Sequence, residues 1–176
     1  MNQQADKHPR AENYFDMWKT TFCPNFAICS FTFINVVVQI AAFLIMMVVS
    51  ATDDEGLNEK MFLGLHAFTL DQFGMRMPWK IVSEGEVYRL ITPLYVTHSL
   101  FSVIVNSIGQ MILGFALEPA LGTARMIVFY FAVGIGANIV GAVGTDNYAT
   151  GPEPMIFALL AGMLAMYLFY WEKMQL

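Results

Sequence analysis

The sequence predicts an all-helical polytopic membrane protein, with about four transmembrane helices and a long amphipathic first loop. Hydrophobic residues make up 57% of the 176-residue chain and charged residues only 13%, with a mean hydropathy of +0.54. A soluble domain of this length could not bury so much apolar surface. The apolar residues also gather into runs of roughly 18 to 25, the length that crosses a hydrocarbon core of about 30 Å.

The first run, about 28–50, carries no charge and follows a polar segment, 1–27, that mixes acids and bases. Its place in the chain and its length differ from those of a cleaved signal peptide. The second is expected over 93–117, the third over 124–144 and the fourth over 154–171. Turn and cap chemistry bounds each: Glu118-Pro119 and Leu121-Gly122 after the second, Thr145-Asp146-Asn147 after the third. The fourth opens with Gly151-Pro-Glu-Pro154. Pro154 has no N–H to leave unpaired in a first turn, and Glu153 stands where an anion meets the positive end of the helix dipole.

The connection 51–92 is long, acidic at Asp53, Asp54 and Glu55 and amphipathic from Phe62 to Trp79, which suits an element lying in the membrane interface. Basic residues number five on the side of the N-terminus and four on the other, a slight preference for the N-terminus inside. Within the runs, Gly134, Gly136, Gly141, Ala158 and Gly162 present small faces for close helix contact. Asn106, Ser107, Gln110 and Asn138 are polar groups that lipid penalises, so they should face protein.

Several function classes find no support. The net charge of −5, without a basic face, gives nucleic acid no site. Cys23 and Cys29 have no zinc spacing and read as packing residues, and His66 lacks ligands at coordinating distance along the chain. No cofactor fingerprint, metal motif or phosphate loop occurs, so neither a cofactor, a metal nor a small-molecule substrate is expected.

A set of motifs does stand out: Gly85-Glu-Val-Tyr-Arg-Leu-Ile-Thr-Pro-Leu-Tyr-Val-Thr-His98, then Asn106, then Leu113-Gly-Phe-Ala-Leu-Glu-Pro-Ala-Leu-Gly122, then Gly134-Ile-Gly-Ala-Asn-Ile. In order and spacing these resemble the rhomboid family of intramembrane serine proteases, over about Phe68 to Trp171. The resemblance implies a rhomboid-like helical bundle over 28–176. It matches Tyr88-Arg89 to the family's aromatic-arginine pair in the first loop, and Glu118 with Gly122 to its residues at the end of the second helix; all four would support the fold.

In that family the fourth helix opens with Gly-x-Ser-Gly, whose serine is the nucleophile, and a histidine on the sixth helix is its base. Gly151-Pro-Glu-Pro154 aligns with that motif, placing Glu153 at the serine and Pro154 at the following glycine. A carboxylate cannot act as a histidine-activated alkoxide. His98 and Asn106 resemble residues that assist the oxyanion, with the segment between them one residue short and Ser102 near the place of a second histidine. Together Gly151, Glu153, Pro154, His98 and Asn106 read as a degenerate former site with no catalytic residue. The sequence stops at Leu176, soon after the fourth run, so a truncated, inactive member is expected.

Three roles follow. One is a non-catalytic subunit of a larger membrane complex, with other membrane subunits and lipids as partners. A second is a pseudoprotease that binds or delivers membrane-protein clients, and a third is a surviving intramembrane protease, against which Glu153 stands. The mitochondrial inner membrane, rich in multi-subunit assemblies, is favoured as the compartment, with the endoplasmic reticulum as the alternative.

Overall fold

In the computed structural model the described residues are 30–52 and 63–174, with side chains described up to residue 169. The polar segment 1–27, both cysteines, the acidic start of the first loop and the side chains of Tyr170 and Trp171 lie outside them.

Among the described residues six helices follow in order: α1 (Phe31–Thr52), α2 (Ala67–Gln72), α3 (Pro78–Ser83), α4 (Leu100–Leu121), α5 (Thr123–Gly144) and α6 (Glu153–Met174). Two 3-10 turns, Val87–Leu90 and Thr92–Leu94, lead into α4, and the described residues contain two isolated antiparallel bridges, Gly64 with Ser99 and Arg76 with Ala149. Helices α1, α4 and α5 have 22 residues each and are long and apolar enough to cross a membrane; Glu153–Phe169 of α6 is a further, shorter apolar stretch.

The second long helix starts later than hydropathy alone suggests. Pro93 to Val96 are apolar, but Pro93 sits in a 3-10 turn and the chain stays irregular until Ser99, whose hydroxyl accepts from the Ser102 N–H and caps α4. At the other end α4 runs through Pro119, whose missing donor falls in the last turn, and stops at Gly122 with φ +83°, a left-handed conformation suited to glycine. Gly122 alone separates α4 from α5, so the two helices are antiparallel neighbours.

Helix α4 is the centre of the bundle, packed against α1 on one side and α6 on another. Gly109 and Gly162 mark the contact with α6: a Cβ on Gly109 would lie 3.2 Å from Ile156 Cδ1, and one on Gly162 3.2 Å from Leu117 Cδ2. On α5, Gly134 admits the Leu94 side chain, and Ala158 of α6 packs on the same Leu94, Tyr130 and Met155 cluster. Two small residues differ from the expected helix contacts. Gly136 has open space around it, because two residues turn a helix by about 200° and point it away from the face that holds Gly134. Gly141 meets no helix; its missing Cβ leaves room for the guanidinium of Arg76 from the first loop.

Polar residues on the long helices turn inward. Asn35 and Gln39 of α1 donate to Gln110 Oε1 at 3.2 Å, Gln110 donates back to Gln39 Oε1 at 2.9 Å, and Gln39 donates to the Tyr130 hydroxyl at 2.8 Å. Asn138 donates to the Leu90 carbonyl at 2.8 Å. Each of these groups would be costly against hydrocarbon, and the bonds join α1, α4, α5 and the loop.

The first loop is a packed element. Leu65, Leu70, Met75 and Val96 are buried with Phe43 and Met46 of α1 and Val103 of α4. Its ion pairs converge on Arg89, a buried guanidinium that pairs with Glu86 and with Asp71 at 2.9 Å and donates to the carbonyls of Asp71 and Met75. Lys80 also reaches Asp71, at 2.7 Å. Burial pushes the Asp71 carboxyl up, but the Lys80 hydrogen bond and the charge of Arg89 outweigh it and hold the carboxyl below its ordinary value. A depressed folded value contributes stability above the unfolded value of 3.8 and loses it as pH falls through the folded one. Thermal stability in detergent should therefore decline below about pH 4, and Asp71→Asn should flatten that decline; an unchanged profile in the variant would remove Asp71 from the acid response.

Candidate functional site

The start of α4 and the start of α6 meet at one membrane boundary. Ser102 and Asn106 are four residues apart on α4 and so share one face, with Asn106 buried. Glu153 is the first residue of α6, where the dipole and free N–H groups of a helix end favour a carboxylate. The Ser102 hydroxyl donates to Glu153 Oε1 at 2.8 Å, and the Asn106 amide donates to the same oxygen at 3.0 Å and to Ser102 Oγ at 3.2 Å. One carboxylate oxygen thus holds two donors from a neighbouring helix.

The turn before α6 gives Glu153 this position. Gly151 has φ +100°, its N–H donates to the Pro93 carbonyl at 3.1 Å, and a Cβ there would fall 1.9 Å from Glu153 Oε2. Glycine is needed twice over, for the left-handed backbone and for the carboxylate that folds back over it. Met155 N–H donates to the Pro152 carbonyl at 2.8 Å, closing the turn, and Pro154 sits in the first helical turn where no donor is lost.

His98 belongs to a neighbouring contact. Its Nδ1 shares a 3.3 Å hydrogen bond with Thr150 Oγ1, its carbonyl accepts from Leu65 N–H at 2.8 Å, and no ion pair joins it to Glu153. It faces the same cleft, about 560 Å³, walled by Leu65, Leu70, Tyr148 and Thr150 with Glu153 at its edge. Of the five residues that the sequence resemblance groups as a former site, Asn106 and Glu153 bond directly, Gly151 and Pro154 shape the turn, and His98 ties the loop ahead of α4 to the loop ahead of α6. Ser102, noted in the sequence near the place of a second histidine, proves to bond Glu153, a pairing that residue type alone does not predict. Its signal was the four-residue spacing to Asn106.

The arrangement commits the Ser102 hydroxyl to a carboxylate. A serine hydroxyl becomes a nucleophile when a base of suitable strength takes its proton, and carboxylates as a class are much weaker bases than imidazole. Ser102 spends its proton on Glu153, and the described His, Cys, Asp and Glu residues form no cluster of three that could hold a metal ion.

At the far end of α4 a second carboxylate is held by protein. Glu118, buried, accepts from the N–H groups of Phe31 and Thr32 at 2.8 and 2.9 Å, from the Thr32 hydroxyl at 2.7 Å and from the Thr123 hydroxyl at 3.0 Å. It thereby caps the N-terminus of α1, whose first N–H groups have no partner within the helix. Gly114, one turn earlier on α4, leaves space for Thr32 to approach: a Cβ would sit 2.5 Å from Thr32 Cγ2. Tyr88, half-exposed, lies beneath the Arg89 guanidinium, 5.5 Å from ring centre to Cζ, and Gly122 ends α4 one turn beyond Glu118.

Comparison with known proteins finds a family match and several relatives. The family model of the rhomboid domain matches residues 84–176, just over half of the chain. Rhomboid-like protease 2 of Toxoplasma gondii is 29% identical over 160 residues, covering 90% of this chain and 54% of that protein. RHOMBOID-like protein 6, mitochondrial, of Arabidopsis thaliana is 30% identical over 117 residues, 65% of this chain and 38% of its own length. Inactive RHOMBOID-like protein 8 of the same plant is 27% identical over 113 residues, 63% and 32%. The chain thus spans about half or less of the length of these relatives. No solved structure matches it significantly.

Proposed function

Because the chain belongs to the rhomboid family, we propose that it is a non-catalytic member that works by binding, as an accessory subunit of a larger membrane complex. The observation that carries the proposal is the seat of Glu153. By the resemblance of Gly151-Pro-Glu-Pro154 to the family's Gly-x-Ser-Gly, Glu153 stands for the nucleophilic serine, and Asn106, which resembles an oxyanion donor, is bonded to it together with Ser102. Donors that must be free to stabilise a developing oxyanion are spent in the resting fold. A family that includes an inactive relative makes the loss of chemistry admissible, and the relative named as mitochondrial supports a place in that organelle, whose inner membrane is the compartment proposed.

The surface of α6 supports the binding role. Phe157, Leu160, Leu164 and Leu168 are exposed along one side of α6, whose main helical neighbours among the described residues are α4 and α5. Helices of partner subunits would cover that side. Handling of membrane-protein clients is the second reading, and the cleft beside His98 favours it by offering open volume at the membrane boundary.

Two measurements test the proposal. A serine-directed fluorophosphonate should fail to label the protein in native membranes, and specific labelling would overturn the non-catalytic reading. Gentle solubilisation should give a particle heavier than 19.8 kDa plus its detergent. A monodisperse monomer would remove the subunit role and leave client handling.

A further inference from the structure

An apolar groove of about 490 Å³ lies where α4 turns into α5, lined by Leu121, Ala124, Arg125, Val128 and Phe129. Four of these residues are apolar, and Arg125 is the single polar group. Helix α4 carries the chain about 33 Å from the Glu153 cleft to this turn, so the groove sits at the opposite membrane boundary.

Arg125 makes no ion pair among the described residues, whose three pairs all involve Lys80 or Arg89 of the first loop. Glu118, the nearest described carboxylate along the chain, is committed to its four donors around Thr32 and Thr123. The guanidinium also stands in the first turn of α5, where the helix dipole gives a cation no support. Its charge is therefore unanswered within the described protein. An apolar surface in the bilayer is covered by hydrocarbon, and a guanidinium at the polar end of such a surface matches a phosphate through paired N–H donors.

We propose that this groove holds an acyl chain of an anionic phospholipid whose phosphate pairs with Arg125. The charge pattern selects an anionic lipid over a zwitterionic one. A choline headgroup brings its own cation, and the groove lining contains no carboxylate to receive it. The proposal is independent of whether the protein is catalytic.

The test uses the full chain in detergent with limiting phosphatidylglycerol or phosphatidylcholine of matched acyl chains, with retained lipid read by native mass spectrometry. Phosphatidylglycerol should be retained preferentially. Arg125→Gln should weaken its retention about fivefold, the effect of one cation at a membrane surface, and Arg125→Lys should keep most of it. Val128→Trp, at a position 68% exposed and so tolerant of a larger side chain, should fill the groove and displace the lipid with Arg125 intact. The proposal is overturned if phosphatidylcholine is retained equally, if Arg125→Gln or Val128→Trp leaves phosphatidylglycerol retention unchanged, or if inorganic phosphate at constant ionic strength displaces the lipid fully, which would make the site one for a free anion.

Discussion

Glu118→Ala is expected to lower the melting temperature of the detergent-solubilised protein by roughly 10 °C, from a loss of about 3 kcal/mol. The substitution deletes the acceptor for two backbone N–H groups and two hydroxyls at once. The N–H groups of Phe31 and Thr32 begin α1 and have no helical acceptor to fall back on. Each donor left dry costs on the order of 1–3 kcal/mol, offset in part by water entering the space vacated. Glu118→Gln should lose about half as much, since the amide keeps one acceptor oxygen and turns an NH2 toward the donors. Thermal melts of both variants decide the matter: a Glu118→Ala protein that melts with the unmodified one would mean that α1 is held by its apolar contacts alone.

Arg89→Ala should cost a similar amount, about 3 kcal/mol, at the other end of the bundle. The guanidinium is 3% exposed and binds two carboxylates and two carbonyls, so its removal leaves the Met75 carbonyl without its donor, the Asp71 carbonyl with the Gly74 N–H alone, and the two carboxylates without their shared cation. Lys80 still neutralises Asp71 in part. Arg89→Lys should recover less than half, because an ammonium on a flexible stem cannot span a fork of partners. The sites lie before and at the end of a 22-residue helix and share no partner, so the double variant should be additive to within about 0.5 kcal/mol. Coupling beyond that would show that loop and helix end unfold as one unit.

Much of this architecture is legible in the sequence because hydrocarbon is an unforgiving solvent. Asn106, Gln110 and Asn138 interrupt apolar runs, and a polar group at that depth must find protein; all three are buried and bonded. The end of α4 is equally plain, since Gly122 alone among its neighbours accepts a positive φ without cost. The start of α4 is not. Hydropathy counts Pro93 to Val96 as membrane material, whereas Pro93 and Leu94 lie in a 3-10 turn, Tyr95 and Val96 are outside any helix, and Ser99 is left to cap α4. Long-range pairings are hidden as well. Ser102 and Glu153 are 51 positions apart, and nothing local to either residue specifies the other. Gly141 looks like a helix-contact glycine and instead admits Arg76, a partner 65 residues away that periodicity along α5 cannot disclose.

The capped start of α1 also bears on how the protein meets bilayers of different thickness. The polar fastenings of α1 to Glu118, Gln110 and Tyr130 all fall between Phe31 and Gln39, while farther along Phe43 and Met46 meet the loop through apolar surface. The start of the rod is pinned by hydrogen bonds to a carboxylate. A helix of 22 residues is about 33 Å long, slightly more than a typical hydrocarbon core of roughly 30 Å. In a thinner membrane, tilt of α1 about its anchored start would move its far end, at Thr52, more than the end held by Glu118.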